Sequence, residues 1–467
     1  MLNMYKLMGQ MLGVSEELQK EAEFVNAKLE QAQTLWQQLI DRSSYYAQIY
    51  GEWSNKFIFN CPEPVGDLSQ IETIPVYRAA HNVFATDGSQ IAPSRHEIAY
   101  CYLINIGRIG LYYGTNHHPL LDSVPQIFYK REDLNLARQW GIPLEQWMGL
   151  QRTASETEAL GMLATGVSSP HPSLALTDGG LIHWELETIA NEPRTILLQR
   201  IFAAWEQLRL AGIPLVGYIS SPRSTETNHF LRLAACPFPE PDCQTHCREK
   251  TISERHNSAK LVDISSTPLK IDSEPSQNIE NTANPSSTKP SSKKLENLPC
   301  SQAYPLRDLR LWEKLFRGNS LNQNFSSDDL GKNLESNLES NSGNNLNLFG
   351  KVSPLWHSHS SILREYAPEH QIYICYLHVG SEIVRIEMPA WTALNRELRH
   401  QALGMILAQV QKGLGYPVAL AEAHNQAVVT GSDRQRFFSA LEQSMVKAGL
   451  PRVGISYKES RKRNSIA

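Results

Sequence analysis

Apolar and polar positions change period along this chain, and the changes outline its elements. Over residues 15–50, Leu18, Ala22, Val25, Leu29, Ala32, Leu35 and Leu39 recur at three- and four-residue steps among Glu, Gln and Lys. This predicts a long N-terminal helix with one apolar stripe, packed on the body of the protein or, alternatively, on a coiled-coil partner. A strand is expected from about Asn82, and the apolar run 98–106 predicts a hairpin or meander with it. A helical stretch over 151–163, an apolar strand ending in Thr177-Asp178-Gly179, a helix over 194–210 and a strand over 215–220 follow. Further on, the runs 371–379 and 382–387 flank Gly380 as a hairpin, and 396–412 reads as a helix. A last strand and helix are expected over 416–420 and 433–448. Strands alternating with helices predict an α/β fold, a sheet layered with helices.

Two stretches break this pattern. Over 251–299 Ser, Asn, Thr, Pro, Lys and Glu dominate, and 319–350 contains the tandem Asn-Leu-Glu-Ser at 333–336 and 337–340. Neither holds enough apolar surface to offset the entropy of ordering, so both are expected to be disordered insertions. They divide the chain into a helical segment (1–60), a core in two parts (61–250 and 351–455), a short docked segment (300–318) and a basic tail (456–467). The docked segment alternates charged and apolar residues over 305–316, like a short helix on the core.

Composition narrows the setting. With 467 residues, 41% of them hydrophobic, and a formal net charge of −4, the chain has ample core and no global pull on nucleic acid. Any contact with nucleic acid then needs a local basic groove or metal ions. No run reaches the length of a membrane span, and Glu16, Glu17, Glu21 and Glu23 come too early for a secretory signal, so a cytoplasmic protein without a membrane partner is expected. Seven cysteines in such a chain argue against a disulfide framework.

The chemistry concentrates in Phe84-Ala85-Thr86-Asp87-Gly88-Ser89-Gln90 and Leu176-Thr177-Asp178-Gly179-Gly180-Leu181. A strand that stops at Asp-Gly sets a carboxylate at the sheet edge, and the glycine lets the backbone turn away. Asp-Gly is also a common turn signal. Two such carboxylates on neighbouring strands can hold a divalent metal through hard oxygen ligands, as phosphodiester cleavage requires. The helix before the second strand offers Glu156 and Glu158, which as helix glutamates are otherwise simply solvated. His424, just beyond the apolar run 416–420, can ligate metal or carry protons, or serve as a structural histidine.

A second cluster is made of cysteines. Cys236, Cys243 and Cys247 lie close in sequence and Cys300 follows the first insertion. Four thiolates can close a tetrahedral zinc site or hold an iron–sulfur cluster, although the six- and three-residue spacings are not a standard zinc signature. Otherwise they are unconnected thiols, as Cys61, Cys101 and Cys375 are expected to be.

Together with Gly217-Tyr218-Ile219-Ser220-Ser221-Pro222-Arg223-Ser224, residues 379–389 and residues 416–424, the two Asp-Gly segments resemble the NurA family of DNA-end-processing nucleases. Five motifs in order cover most of the chain outside the insertions. The resemblance implies an RNase H-like mixed sheet flanked by helices and a manganese-dependent site, with magnesium as the alternative ion. It implies exonuclease and also endonuclease action on single- and double-stranded DNA ends in double-strand-break repair, beside a HerA-like hexameric ATPase. Carried over, Asp87 and Asp178 are the core metal ligands, Glu156 (preferred to Glu158) is the third, and His424 completes the site. In a two-metal mechanism one ion generates the nucleophile and the other stabilises the leaving 3′-oxygen. Arg223, after a strand end, is a candidate phosphate contact or a plain surface residue. The basic tail reads as a solvated terminus or a nucleic-acid contact. The long helix and the resemblance both suggest a homodimer. Gly180 departs from the pattern, which has a serine or similar residue there. Two other readings stay open: a catalytically weak DNA-end-binding scaffold for a HerA-type translocase, and an RNase H-like nuclease acting on RNA.

Overall fold

The computed structural model describes residues 4–93, 101–247, 300, 306–321 and 348–449. The insertion expected over 251–299, residues 322–347 of the second, the tail 456–467 and residues 98–100 of the expected strand lie outside these. The chain divides into two compact units. The first comprises Met1–Glu63, Asp67–Ser69 and Arg223–Leu315; the second comprises Pro64–Gly66, Gln70–Pro222 and Phe316–Ala467.

In the first unit, the single long helix expected over 15–50 is two helices, Met4–Asp41 and Ser43–Trp53. They are broken at Arg42, whose φ of −122° and ψ of 34° leave the helical region. The apolar stripe is buried only from Ala32 through Leu35, Trp36 and Leu39, while Leu18 is 58% exposed. Trp36 meets Trp312 edge to face with ring centroids 5.3 Å apart, a favoured aromatic geometry. Trp312 belongs to the helix Asp308–Leu321, whose residues through Leu315 group with the N-terminal helices. Asp308, fully buried, accepts hydrogen bonds from the backbone and side-chain amides of Asn228, each at 2.9 Å. That contact fixes the helix Glu226–Ala234 in the same unit.

The second unit is built on a mixed sheet. Its main strands are β1 (His81–Ile91), β2 (Tyr102–Tyr113), β3 (Leu120–Phe128), β4 (Ser173–Asp178), β5 (Leu215–Ile219), β6 (Leu355–His357), β7 (Ile372–His378) and β8 (Ile383–Pro389). They lie in the order β6-β7-β8-β5-β4-β1-β2-β3. Pairings β1–β4 and β4–β5 are parallel, and the others along this path are antiparallel. Val- and Ile-rich runs buried on both faces suit the centre of such a sheet. Parallel pairing of β1 and β4 runs in register from Asn82 opposite Ser173 to Thr86 opposite Thr177. The next residues, Asp87 and Asp178, therefore reach the same edge.

The helices of this unit are α1 (Leu144–Thr165), α2 (Asn191–Leu210), α3 (Arg396–Lys412), α4 (Val418–Ala427) and α5 (Gly431–Lys447). Val83, Ala85, Leu174, Leu176, Val216 and Tyr218 pack with Leu403, Ile406, Leu407, Ala419, Leu420 and Ala423 of α3 and α4. Successive strand residues face opposite ways, and Thr86 accordingly turns from that core and donates to the Glu156 carbonyl of α1 at 2.9 Å. α1 and α2 cross closely, since a Cβ on Gly161 would lie 3.1 Å from Ala204 Cβ.

The strand expected over 416–420 is not one: Pro417 is the N-cap of α4 and Ala419, Leu420, Ala423 and Ala427 are buried. Those positions recur at helical spacing, and a five-residue apolar run cannot by itself distinguish the two elements. Among the described residues no helix is long and apolar enough to cross a membrane.

Candidate active site

The carboxylates gather where β4 ends at Asp178, beside Asp87 within β1, which runs on in pairing with β2 to Ile91 and does not stop at Asp87-Gly88 as the turn signal predicts. Asp87 Oδ2 lies 2.8 Å from His424 Nδ1, with Asp87 22% and His424 65% exposed. The helix carrying His424 is seated by side chains from the sheet. Ser89 Oγ and Asn105 Nδ2 both donate to the Ala427 carbonyl, Asn105 at 2.9 Å, so a free carbonyl at the end of α4 is satisfied. Gly107, paired with Asp87 across β1–β2, permits the approach: a Cβ there would stand 2.5 Å from the Ala423 carbonyl oxygen. At the other end of α4, buried Gln409 accepts the Ala419 amide at 3.0 Å and donates to the Tyr113 hydroxyl at 2.9 Å.

Glu156 enters from the opposite face. Its carboxylate lies under Gly88, where a Cβ would be 2.4 Å from Oε1, and its other close partner is Arg152 Nε at 3.2 Å. Burial pushes the Glu156 pKa up to about 8, with Asp87 and Asp178 adding to the rise and Arg152 and the Gly88 amide opposing it. Glu158, two residues on, is directed elsewhere. Arg200 of α2 grips it with Nε at 2.7 Å and Nη2 at 2.6 Å, a bidentate pair.

Asp178 is also raised, by burial first and by the charge of Asp87, while a Tyr416 hydrogen bond and His424 lower it. Tyr416 had no assigned role in the sequence. It follows a turn in which Leu414 (φ 54°) and Gly415 (φ 119°) both adopt left-handed conformations. Burial and the neighbouring Asp178 raise the phenol pKa, which keeps Tyr416 a donor.

The backbone beyond Asp178 is held by a second residue the sequence left unassigned. Glu387 of β8, 1% exposed, accepts the amides of Leu181 at 2.6 Å and Ile182 at 3.2 Å, and Arg385 Nε donates to it at 2.8 Å. Gly180 is explained here, because a Cβ would stand 3.0 Å from Glu387 Oε2 and crowd that contact. The available signal was Arg385 and Glu387 two apart on a strand buried at every position, which places both charges on one side of it. At the end of β5, Glu382 accepts Ser220 Oγ at 2.7 Å and the Ser221 amide at 3.0 Å. Ser221 has φ 46°, an uncommon conformation for a residue with a Cβ. Arg223 is exposed and belongs to the first unit.

Three carboxylates, two of them with raised pKa, and an imidazole form a donor set of hard oxygen and nitrogen that suits a divalent cation. Their mutual repulsion is what such a cation relieves. No three of their ligand atoms lie mutually within 4.8 Å, so no single cage is closed around one ion.

The family model of the NurA domain matches residues 81–429, a span that contains all four side chains. Among solved structures, the chain is similar to the crystal structure of the NurA nuclease from Sulfolobus solfataricus, with 9% identity and a TM-score of 0.38. That match covers 89% of this chain and 98% of the other. A search of curated protein sequences finds no match.

Proposed function

We propose that this chain, which belongs to the NurA family, is a metal-dependent nuclease that hydrolyses phosphodiester bonds at DNA ends. The observation that carries the proposal is the meeting of Asp87, Glu156, Asp178 and His424 at one sheet edge. The arrangement β3-β2-β1-β4-β5, with β1–β4–β5 parallel and β1–β2–β3 antiparallel, supports an RNase H-like assignment of the sheet.

In this proposal Asp87, Asp178 and Glu156 hold the metal, manganese or alternatively magnesium, with His424 as the fourth donor. The bound ion supplies Lewis acidity toward the phosphoryl oxygen and a more acidic water. Asp87 and Asp178 present carboxylate oxygens from adjacent parallel strands, so the sheet fixes their separation. Glu156, whose pKa is raised to about 8 in the metal-free fold, would give up its proton on binding a cation. His424, more than half exposed, is oriented by its contact with Asp87, which leaves the other ring nitrogen to face the metal. Tyr416 and Glu387 position Asp178, one through its carboxylate and the other through the turn that follows. Action at both single- and double-stranded ends, partnership with a HerA-like hexameric ATPase and homodimerisation complete the reading.

Digestion of end-labelled linear DNA, with single- and double-stranded DNA and matched RNA run in parallel, tests it. Manganese-dependent shortening of DNA, suppressed by EDTA, is the expected result. RNA as the sole substrate would replace this proposal with a ribonuclease, and no cleavage with any ion or substrate would refute it.

A further inference from the structure

Four cysteines remain outside the carboxylate edge. Cys243, Cys247 and Cys300 are buried together in the first unit, packed by Phe57, Ile58, Phe59 and Phe238. Cys236 joins them around a small, partly open pocket that Phe238 and Asp242 also line. No disulfide joins any of them. Although 52 residues separate Cys247 from Cys300 in the sequence, Cys300 is 4% exposed in this cluster.

We propose that Cys236, Cys243, Cys247 and Cys300 are the ligands of a structural zinc ion. Four thiolates are the full ligand set of a tetrahedral zinc ion. Cys243 and Cys247 are four positions apart, within the usual interval for a thiolate pair. They flank the short helix Cys243–His246, whose start is capped by Asp242 accepting the amides of Gln244 and Thr245, each at 3.0 Å.

Burial raises the thiols of Cys236, Cys243 and Cys300, and a backbone contribution at each acts in the opposite sense. Four thiolates around a dication leave two negative charges, and the Arg232 guanidinium, itself 1% exposed, acts on Cys300 from within the same unit.

No three of the sulfurs lie mutually within 4.8 Å. Zinc–sulfur bonds near 2.3 Å in a tetrahedron draw some pairs inward by about 1 Å or more. The ion would then fasten Cys300 to the 236–247 segment.

Full-length protein, expressed without added metal and purified without chelator, is analysed for zinc, iron and acid-labile sulfide. It is then stripped and reloaded with Co²⁺. The proposal expects one zinc per chain and, after reloading, the absorption of tetrahedral cobalt with thiolate-to-metal charge transfer. Cys243→Ser and Cys247→Ser should each lose the stoichiometric metal, whereas Cys375→Ala, at a buried cysteine in the other unit, should retain it. If the serine variants fail to fold, the wild type decides alone, through release of zinc by a mercurial thiol reagent in step with modification of four thiols. Absence of both zinc and the cobalt–thiolate bands overturns the site. Iron with stoichiometric sulfide overturns its assignment to zinc.

Discussion

His424 Nδ1 and Asp87 Oδ2 are 2.8 Å apart although 337 positions separate the residues in sequence. The contact exists because the sheet seats α4: Ser89 and Asn105 take the Ala427 carbonyl, and Gly107 leaves room for the helix backbone. The imidazole is thus supplied by a helix held on β1 and β2.

Removing the imidazole should slow cleavage without unfolding the protein, because His424 is 65% exposed. His424→Ala is expected to lower the cleavage rate by about 100-fold, the scale of a positioned acid–base or ligand group. Single-turnover rates with saturating DNA, alongside circular dichroism, check this.

Gly88 is required for its lack of a side chain. In Gly88→Ala the new Cβ would fall 2.4 Å from Glu156 Oε1, so the carboxylate must move. A displacement near 1 Å at a reacting centre costs about 100-fold in rate. The expected signature is a fall in kcat with added manganese unable to restore it, measured by metal titration of initial rates.

The Arg385–Glu387 pair is a stability element as well as a support for Asp178. Glu387→Ala leaves a buried guanidinium and two amides without their carboxylate, and breaking one partner of a buried pair costs about 3–5 kcal/mol. Urea unfolding should show that loss. Glu387→Gln, which keeps an acceptor for the amides, should lose less.

Glu156 sets a pH dependence. Its pKa rises from the ordinary 4.5 to about 8 in the fold, so the folded state binds this proton more tightly than the unfolded state. Below pH 4.5 the group contributes nothing, and between 4.5 and about 8 its contribution to metal-free stability falls as pH rises. Above about 8 the penalty is constant. Thermal melts in EDTA should show a shallower decline across this window for Glu156→Gln than for wild type.

Local patterns made the strands carrying Asp87 and Asp178, the helix carrying Glu156 and the β7–β8 hairpin legible in the sequence, although β1 continues past Asp87-Gly88 to Ile91, because period and turn chemistry are properties of neighbouring residues. The start of α4 was not, since a short apolar run fits helix or strand until packing decides. Glu387 and Tyr416 escaped because their partners, the Leu181 amide and Asp178, are distant in sequence. The same holds for the grouping of Arg223–Leu315 with the N-terminal helices, which rests on contacts such as Trp36 with Trp312. Glu156 and Glu158 look alike in sequence, and they differ in space because Arg200 of α2 engages Glu158.

The central claim is tested most directly by manganese-dependent cleavage of end-labelled DNA with wild type, Asp87→Asn and Asp178→Asn, each shown to be folded. Cleavage by wild type that needs the metal and disappears in both variants is the predicted result. Undiminished cleavage in either folded variant would contradict a catalytic role for the two carboxylates on the adjacent strands.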